Sequence, residues 1–304
     1  MQALCGAVWW VAVFTIPWVR EATLGILDPV AVAALDIPLF VVASALAATP
    51  LRIARGVSLV VAAWTALVTL ALALLATLGG GAGWGVLIMV AATGGSLVAA
   101  TALMLGRVPT EWIVTGPFAF RPADARRGPA VNLAVTAAQI VVFWGVFFVV
   151  IPLVITALEH RWRVGLPLAA LGVVTPPVVT TAVTVIGAVV FVVAGALGLW
   201  SAAIMAVQGG GTPLPSEMAN RLVVVGPYRW VRNPMAVAGI VQGVAVGLLL
   251  GSWLVVAYAL AGSLLWNLVV RPYEEADLEE RFGDDFRRYR DAVRCWVPSA
   301  HPYR

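Results

Sequence analysis

The sequence predicts an all-α protein: a polytopic transmembrane bundle of about eight spans, followed by a cytoplasmic amphipathic helix at the C-terminus. Three observations lead to this prediction. Of the 304 residues, 62% are hydrophobic and 11% are charged, with a mean hydropathy of +0.97, whereas a soluble domain carries about 25% charged residues. The apolar residues come in runs as long as a membrane helix. The charged residues, in contrast, are concentrated near the C-terminal end.

The same composition excludes several classes of protein. A soluble globular enzyme and a disordered chain both need more charge than this sequence has. The two cysteines, Cys5 and Cys295, lie at opposite ends of the chain, too few and too distant for a disulfide framework or a zinc site. We therefore expect no metal site. The net charge of +4 comes entirely from arginine, and we expect no binding to nucleic acid.

Eight apolar segments are candidates for the spans, because a helix needs about 20 mostly apolar residues to cross the hydrocarbon core. They are 2–19, 29–49, 57–78, 85–105, 133–157, 180–206, 235–250 and 252–270. The last two are short and are split by Gly251 and Ser252, which predicts a tight hairpin. The apolar segment 165–179 is interrupted by two prolines, and we expect it to lie at the outer surface or to re-enter the membrane.

The positions of the arginines support this count through the positive-inside rule. With the N-terminus inside, only Arg20, Arg161 and Arg163 fall outside, which leaves 16 of the 19 basic residues on the cytoplasmic side. We therefore expect an integral membrane protein, of a bacterial inner membrane, with both termini in the cytoplasm.

Two carboxylates lie at or within the second predicted span. Asp28 precedes it and is expected to cap the helix, whereas Asp36 lies inside it next to a proline. An intramembrane carboxylate is a functional candidate by default, and the alternative here is that Asp36 satisfies a kinked backbone. Two glutamines in other spans, Gln139 and Gln242, are expected to form hydrogen bonds between helices.

The C-terminal tail is the most densely charged part of the chain. From Arg271 onward it cannot be a span, because each charge at mid-depth costs about 2.5–3.5 kcal/mol. Apolar and aromatic residues nevertheless recur in it at spacings of four, four, three and four, which predicts one face of a helix. These residues are Leu278, Phe282, Phe286, Tyr289 and Val293. We expect this helix to lie on the membrane surface or on the bundle.

The loop before the short hairpin is a second unusual element. It reads Gly226-Pro227-Tyr228-Arg229-Trp230-Val231-Arg232-Asn233-Pro234-Met235. Gly-Pro is a turn signal, and Asn-Pro predicts the start of a helix with proline at its first position. The arginines beside aromatic residues are also typical of an interfacial anchor.

Taken together, the two elements resemble a known family. Gly-Pro-Tyr-x-x-x-Arg-Asn-Pro-Met, a short helical hairpin and Glu-Glu-x-x-Leu-x-x-x-Phe-Gly-x-x-Phe-x-x-Tyr follow one another in a characteristic order and spacing. The arrangement resembles the integral-membrane methyltransferases typified by isoprenylcysteine carboxyl methyltransferase and the phospholipid N-methyltransferases. The resemblance covers about residues 182–298. It implies a pocket for S-adenosylmethionine (SAM) between the last helices and the C-terminal segment.

The resemblance also assigns site residues. Those implied to bind the cofactor are Gly226, Pro227, Tyr228, Arg232, Asn233, Pro234, Gly239, Glu274, Glu275 and Tyr289. Glu275 and Arg271 are the candidate catalytic residues, and Glu275 would remove a proton from an acceptor that arrives protonated. These residue types suit SAM, because carboxylates accept hydrogen bonds from its ammonium and ribose groups and an arginine binds its carboxylate. Many relatives have His at the position of Asn233 and Tyr at the position of Ala236.

The sequence thus predicts a membrane methyltransferase, surrounded by membrane lipids, whose lipophilic or lipidated acceptor enters from the bilayer and whose cofactor enters from the cytoplasm. A prenylated cysteine carboxylate, a lipid amine and a quinone or terpenoid hydroxyl are all open as acceptors. One alternative is an NADPH-dependent membrane reductase of the steroid 5-alpha type, which looks similar at the C-terminal end. Another is a non-catalytic membrane protein that retains the fold. The oligomeric state stays open.

The chain is predicted to divide near residue 160. Residues 1–160 form N-terminal helices without an assigned role, and residues 161–304 form the methyltransferase-like domain with its cytoplasmic tail. Within the first part, Gly116-Pro117-Phe118 followed by Arg121-Pro122 echoes the later Gly-Pro-Tyr loop. This echo suggests a degenerate repeat, and two ordinary interfacial loops are the alternative.

Overall fold

The structure is a computed structural model that describes residues 1–166 and 176–303. Within these ranges the regular structure is helical, apart from one isolated backbone bridge between Pro122 and Met218. The helices are, in chain order, α1 (Gln2–Thr15), α2 (Pro17–Leu24), α3 (Pro29–Ala47), α4 (Ala54–Gly79), α5 (Gly83–Leu105), α6 (Pro129–Arg161), α7 (Pro177–Gly209), α8 (Pro234–Leu250) and α9 (Trp253–Ala292). The predicted all-α class is confirmed.

The predicted count of eight spans is not confirmed for the described residues. Six helices, α3 to α7 and α9, are long and apolar enough to cross a membrane. The first predicted span is broken where α1 and α2 meet at 113°. Ile16 is extended at this break (φ −118°, ψ 104°), the conformation that a following proline favours. If this bent pair counts as one span, the number is seven.

The seventh predicted span is a helix, but a short one. α8 has 17 residues, which corresponds to about 25 Å at 1.5 Å per residue, less than the hydrocarbon thickness of about 30 Å. It is followed at once by Gly251 (φ 61°), whose left-handed conformation ends the helix and starts the predicted hairpin. The segment 165–179, predicted to lie at the surface or to re-enter, falls mainly outside the described residues.

The last helix differs from the prediction. The predicted span 252–270 and the predicted tail helix form one helix of 40 residues, α9, through a π-helical turn at Trp266–Val270. Trp253–Val270 contains no charged residue, whereas 13 of the 22 residues of Arg271–Ala292 are charged. We therefore place Arg271–Ala292 outside the membrane-spanning segment. A separate cytoplasmic amphipathic helix is not confirmed, because the chain does not break where it becomes charged.

The apolar stripe of the tail is buried. α9 bends at Gly283 (φ 52°, ψ −125°), a conformation that residues with a Cβ rarely adopt. Beyond the bend, Phe286, Tyr289 and Val293 are buried together and pack against Leu222 of the loop before α8. The spacing of apolar residues therefore predicted the buried face correctly, and that face holds the charged half of α9 against this loop.

The described residues form two compact units. The first contains Met1–Pro109 and Ala157–Leu166, and the second contains the described residues of Thr110–Thr156 and Pro167–Arg304. Residues 110–156 thus pack with the C-terminal helices. The predicted division of the chain near residue 160 stays a prediction.

In the first unit, the two aspartates have structural partners. Asp28 caps α3 by accepting a hydrogen bond from the backbone N–H of Ala31 (2.8 Å), as predicted. The carboxylate of Asp36 is buried and accepts hydrogen bonds from the indoles of Trp10 (2.9 Å) and Trp64 (2.8 Å). These two bonds satisfy the buried carboxylate and join α1, α3 and α4. The geometry favours a structural role for Asp36, with indoles rather than a kinked backbone as its partners.

Candidate active site

The Gly-Pro-Tyr loop folds as its sequence predicts. Gly226 has a φ of 58° and begins a 3₁₀ turn over Gly226–Arg229. A Cβ at this position would lie 2.2 Å from Cδ1 of Ile204, so both the backbone conformation and the close approach require glycine. Asn233 is the N-cap of α8, with Pro234 at its first position. These residues fix the path of the chain from α7 into α8.

The end of the chain holds this loop in place. The hydroxyl of Tyr289 donates a hydrogen bond to the backbone carbonyl of Tyr228 (2.6 Å). After α9, the backbone N–H of Ser299 donates to the carbonyl of Trp230 (2.7 Å). The two motifs, separated by the hairpin in the sequence, are therefore in direct contact in the fold.

A cavity of about 510 Å³ lies in the second unit, between this loop and helices α6 to α9. Its volume is within the range of small-molecule sites, about 300–1,000 Å³. Seven of the predicted site residues line it: Tyr228, Arg232, Asn233, Gly239, Glu274, Glu275 and Tyr289. Gly226, Pro227 and Pro234 do not line it and instead shape the loop. Arg271, a candidate catalytic residue, does not line it either and begins the charged half of α9.

The second wall of the cavity lies outside the two motifs that carry the family resemblance. This wall is mostly aromatic, and its residues are Phe118, Phe120, Gln139, Ile140, Phe143 and Trp144. The loop that carries the first two is tied to the loop before α8, because Ala123 N–H donates to the Met218 carbonyl (2.9 Å) and Met218 N–H donates to the Arg121 carbonyl (2.8 Å). The available signal was a run of aromatic residues at 143–148 with a glutamine one turn earlier.

The two adjacent glutamates of the tail motif have different surroundings. Glu275 accepts a hydrogen bond from Nη2 of Arg232 (3.1 Å), which also donates through Nη1 to the Arg290 carbonyl (3.2 Å). Glu274 lines the cavity and has no ion-pair partner among the described residues. Burial, together with the charges of Glu275 and Asp277, raises the pKa of Glu274 to about 7. Glu274 is therefore able to exchange a proton near neutral pH.

This difference bears on the predicted roles. Arg232 occupies one carboxylate oxygen of Glu275 through its hydrogen bond. A general base works best when its pKa is near the working pH, which describes Glu274. Base catalysis by Glu275 stays a prediction, and Glu274, which lines the same cavity without an ion-pair partner among the described residues, is a second candidate.

Two amide side chains of the cavity wall have an unpaired buried atom. They are Nε2 of Gln242, a residue that is 1% exposed, and Oε1 of Gln139. The other end of the Gln139 amide donates to Oε2 of Glu217 (3.0 Å). A buried polar atom without a partner costs about 1–3 kcal/mol and is uncommon in native proteins. These two atoms therefore mark places where a ligand or a water molecule would form a hydrogen bond.

The residues of the cavity fit SAM. No heavy atom lies within 4 Å of the position that a Cβ of Gly239 would occupy, so packing does not require glycine there and its absence of a side chain enlarges the cavity. The Glu274 carboxylate can accept from an ammonium or a hydroxyl. Arg232 has a buried Nε without a partner in the described part of the chain, which can donate to a carboxylate.

Residues 182–285 match a family model described as phospholipid methyltransferase. No curated protein and no solved structure matches the chain. The predicted family resemblance is confirmed over these residues, which supply the Gly-Pro-Tyr loop, α8 and the two glutamates. The match supports an integral-membrane methyltransferase in general, without specifying the acceptor.

Proposed function

We propose that the protein is a SAM-dependent methyltransferase that acts on a lipophilic or amphiphilic acceptor. The observation that carries this proposal is the composition of the cavity wall. Charged and hydrogen-bonding residues come from the loop before α8 and from α9, whereas aromatic residues come from α6 and the loop before it. A charged cofactor and an apolar acceptor need two surfaces of these kinds, side by side in one cavity.

The charged wall would hold the cofactor. Glu274 would accept from its ammonium or from a ribose hydroxyl, and Nε of Arg232 would donate to its carboxylate. The start of α8 is the positive end of its helix dipole, which would favour the same carboxylate. When bound there, SAM would supply a methyl group on a sulfonium, whose transfer to the acceptor heteroatom would break the carbon–sulfur bond and leave a neutral thioether.

The chain's own residues would orient the acceptor and receive its proton. The aromatic wall would bind the hydrocarbon part of the acceptor, which fixes the heteroatom next to the cofactor and supplies much of the rate enhancement. Glu274, which lines the cavity and has a pKa raised to about 7, would accept the proton that an amine or hydroxyl loses on methylation.

Calorimetry of the purified protein in detergent tests this proposal. We expect S-adenosylhomocysteine, the demethylated cofactor, to bind and NADPH not to bind. Binding of NADPH alone would contradict the proposal and favour a reductase of the steroid 5-alpha type. Binding of neither would favour a non-catalytic protein that retains the fold.

A further inference from the structure

The orientation of the Gln139 amide is fixed by its neighbours. Nε2 of Gln139 donates to Oε2 of Glu217 (3.0 Å), and Oε1 of Glu217 accepts from Nη1 of Arg127 (2.6 Å). The hydroxyl of Thr212 also donates to Oε2 (3.4 Å). Both oxygens of Glu217 therefore act as acceptors, one of them in an ion pair with Arg127. The nitrogen of the Gln139 amide must therefore face Glu217, and its oxygen must point away.

That oxygen has no donor. Oε1 of Gln139 is buried without a hydrogen-bond partner in the described part of the chain, and the residue lines the cavity together with Phe143 and Trp144. Rotating the amide by half a turn would not help, because its oxygen would then meet the Glu217 carboxylate, an acceptor against an acceptor. A ligand with an N–H or O–H group would supply the missing hydrogen bond.

We propose that Gln139 determines which acceptor is methylated: its oxygen accepts a hydrogen bond from the acceptor, which is therefore an amine or an alcohol and not a carboxylate. This inference rests on the proposed function and narrows its substrate class. A carboxylate acceptor has two oxygens and no donor, so it could accept from the unpaired Nε2 of Gln242 but would still leave the Gln139 oxygen without a hydrogen bond. It would also meet Glu274, which has no counter-ion among the described residues.

The fixed orientation of the Gln139 amide also indicates how residues outside the family match would contribute to the choice of acceptor. Gln139 and Arg127 precede residues 182–285, whereas Glu217 lies within them. The pair Arg127–Glu217 would act as a positioning device that orients Gln139 and does not touch the substrate. Selection of the acceptor would thus depend on α6 and its preceding loop, and binding of the cofactor on the matched region.

Binding of matched probes tests the proposal. Octylamine, octan-1-ol and octanoate share one hydrocarbon chain and differ in their head groups, and calorimetry would measure each with the protein in detergent, with and without S-adenosylhomocysteine. We expect octylamine or octan-1-ol to bind about tenfold more tightly than octanoate, the effect of one buried hydrogen bond. Gln139→Leu removes the acceptor oxygen at similar volume and should abolish the preference while leaving the affinity for S-adenosylhomocysteine unchanged.

Two further variants distinguish a loss of head-group recognition from a general loss of protein structure. Gln208→Leu makes the same chemical change at an exposed position of α7 that does not line the cavity, and it should leave the preference intact. Glu217→Gln keeps Gln139 but lets its amide rotate, because the new side chain can donate as well as accept, and it should weaken the preference. Because all variants are compared in the same detergent, partition of the probes into micelles cancels.

Three results would overturn the inference: octanoate binding as tightly as the other probes, no probe binding at all, or a preference that survives Gln139→Leu. Failure of the proposed function gives a different result. In that case S-adenosylhomocysteine would not bind, while the head-group preference would be present and would depend on Gln139. That result would support Gln139 as the recognition site and contradict the proposed methyl transfer.

Discussion

At the scale of single residues, the raised pKa of Glu274 predicts a dependence of stability on pH. Burial and the nearby carboxylates raise this pKa to about 7 in the folded protein, whereas an exposed glutamate has a pKa of about 4.3. Between these two values the folded protein binds more protons than the unfolded chain, so the free energy of unfolding falls as the pH rises. Glu274→Gln should remove this fall, as measured by thermal unfolding in detergent from about pH 4 to pH 8.

Glu280→Gln is the matched control, because Glu280 is exposed on the same helix. It should show the pH dependence of the unaltered protein. If ionised Glu274 binds the cofactor, the affinity for S-adenosylhomocysteine should also increase as the pH approaches 7, and this increase should be absent in Glu274→Gln. A Glu274→Gln variant with an unaltered pH profile of unfolding would contradict the raised pKa.

Gly239 makes a second prediction, which separates stability from binding. Gly239→Ala should raise the free energy of unfolding, by up to about 1 kcal/mol, because alanine is the better helix former. Since the residue lines the cavity and its Cβ would meet no protein atom, the new methyl group would take ligand space. We expect S-adenosylhomocysteine to bind more weakly by about 1–3 kcal/mol, the usual cost of overpacking, as measured by calorimetry.

The control is Gly262→Ala, in the apolar part of α9. Gly262 is exposed, has open space around its Cβ position and does not line the cavity. It should gain the same helix stability and keep the affinity of the unaltered protein. Equal affinities in the two variants would mean that Gly239 does not lie beside the cofactor.

At the scale of secondary-structure elements, the loop before α8 depends on one glycine. Gly226→Ala combines a left-handed backbone with a contact of 2.2 Å to Cδ1 of Ile204. The left-handed conformation alone costs a residue with a Cβ about 1–2 kcal/mol. The added clash should lower the melting temperature further and weaken binding of S-adenosylhomocysteine, because Tyr228 and Arg232 follow in the same loop.

Gly251→Ala measures the cost of the left-handed backbone conformation alone, without the steric clash. Gly251 has a similar φ of 61° but no heavy atom within 4 Å of its Cβ position. Thermal unfolding should therefore show a smaller loss for Gly251→Ala than for Gly226→Ala, with binding unaffected. Equal losses would show that Ile204 moves aside without cost and that strain alone explains the glycine.

Short sequence motifs predicted the structure of the loop before α8 well. Gly-Pro and Asn-Pro determine backbone conformation within a few residues, and both the turn and the start of α8 formed where they indicated. The sequence Gly116-Pro117-Phe118, which echoes the Gly-Pro-Tyr loop, has the same backbone conformation. Gly116 has a φ of 61° and also begins a 3₁₀ turn. Because a short Gly-Pro sequence is enough to produce such a turn, the repeat stays a prediction.

Hydropathy and charge, which are read over longer stretches of sequence, predicted the ends of the helices less reliably. Hydropathy averages over many residues, so one proline at position 17 did not show that the first span breaks there. Charge showed correctly where α9 becomes polar, but a helix that leaves the membrane needs no break, and α9 continues. The pair of Arg232 with Glu275 and the wall around Gln139 depend on tertiary packing between segments far apart in the chain, which no local pattern encodes.

At the scale of the whole molecule, the charged residues within 177–303 are confined to particular segments. α7, α8 and Trp253–Val270 contain no charged residue. The nine arginines of residues 177–303 all lie in the loop between α7 and α8 or from Arg271 onward. Because α8 and the apolar part of α9 form a hairpin, these two segments lie at the same end of the helices. From the positive-inside rule we predict that this end faces the cytoplasm.

Cysteine labelling tests this orientation. Thr180 and Glu280 are exposed and belong to opposite ends of this helix set, the first near the start of α7 and the second in the charged half of α9. In a background with Cys5→Ser and Cys295→Ser, a membrane-impermeant maleimide should label Thr180→Cys in intact cells. Glu280→Cys should react only after the cells are permeabilised, because arginine-rich segments are retained inside. The reverse pattern would place Glu274 and Arg232 outside, away from the cytoplasmic supply of SAM, and would contradict both the orientation and the proposed function.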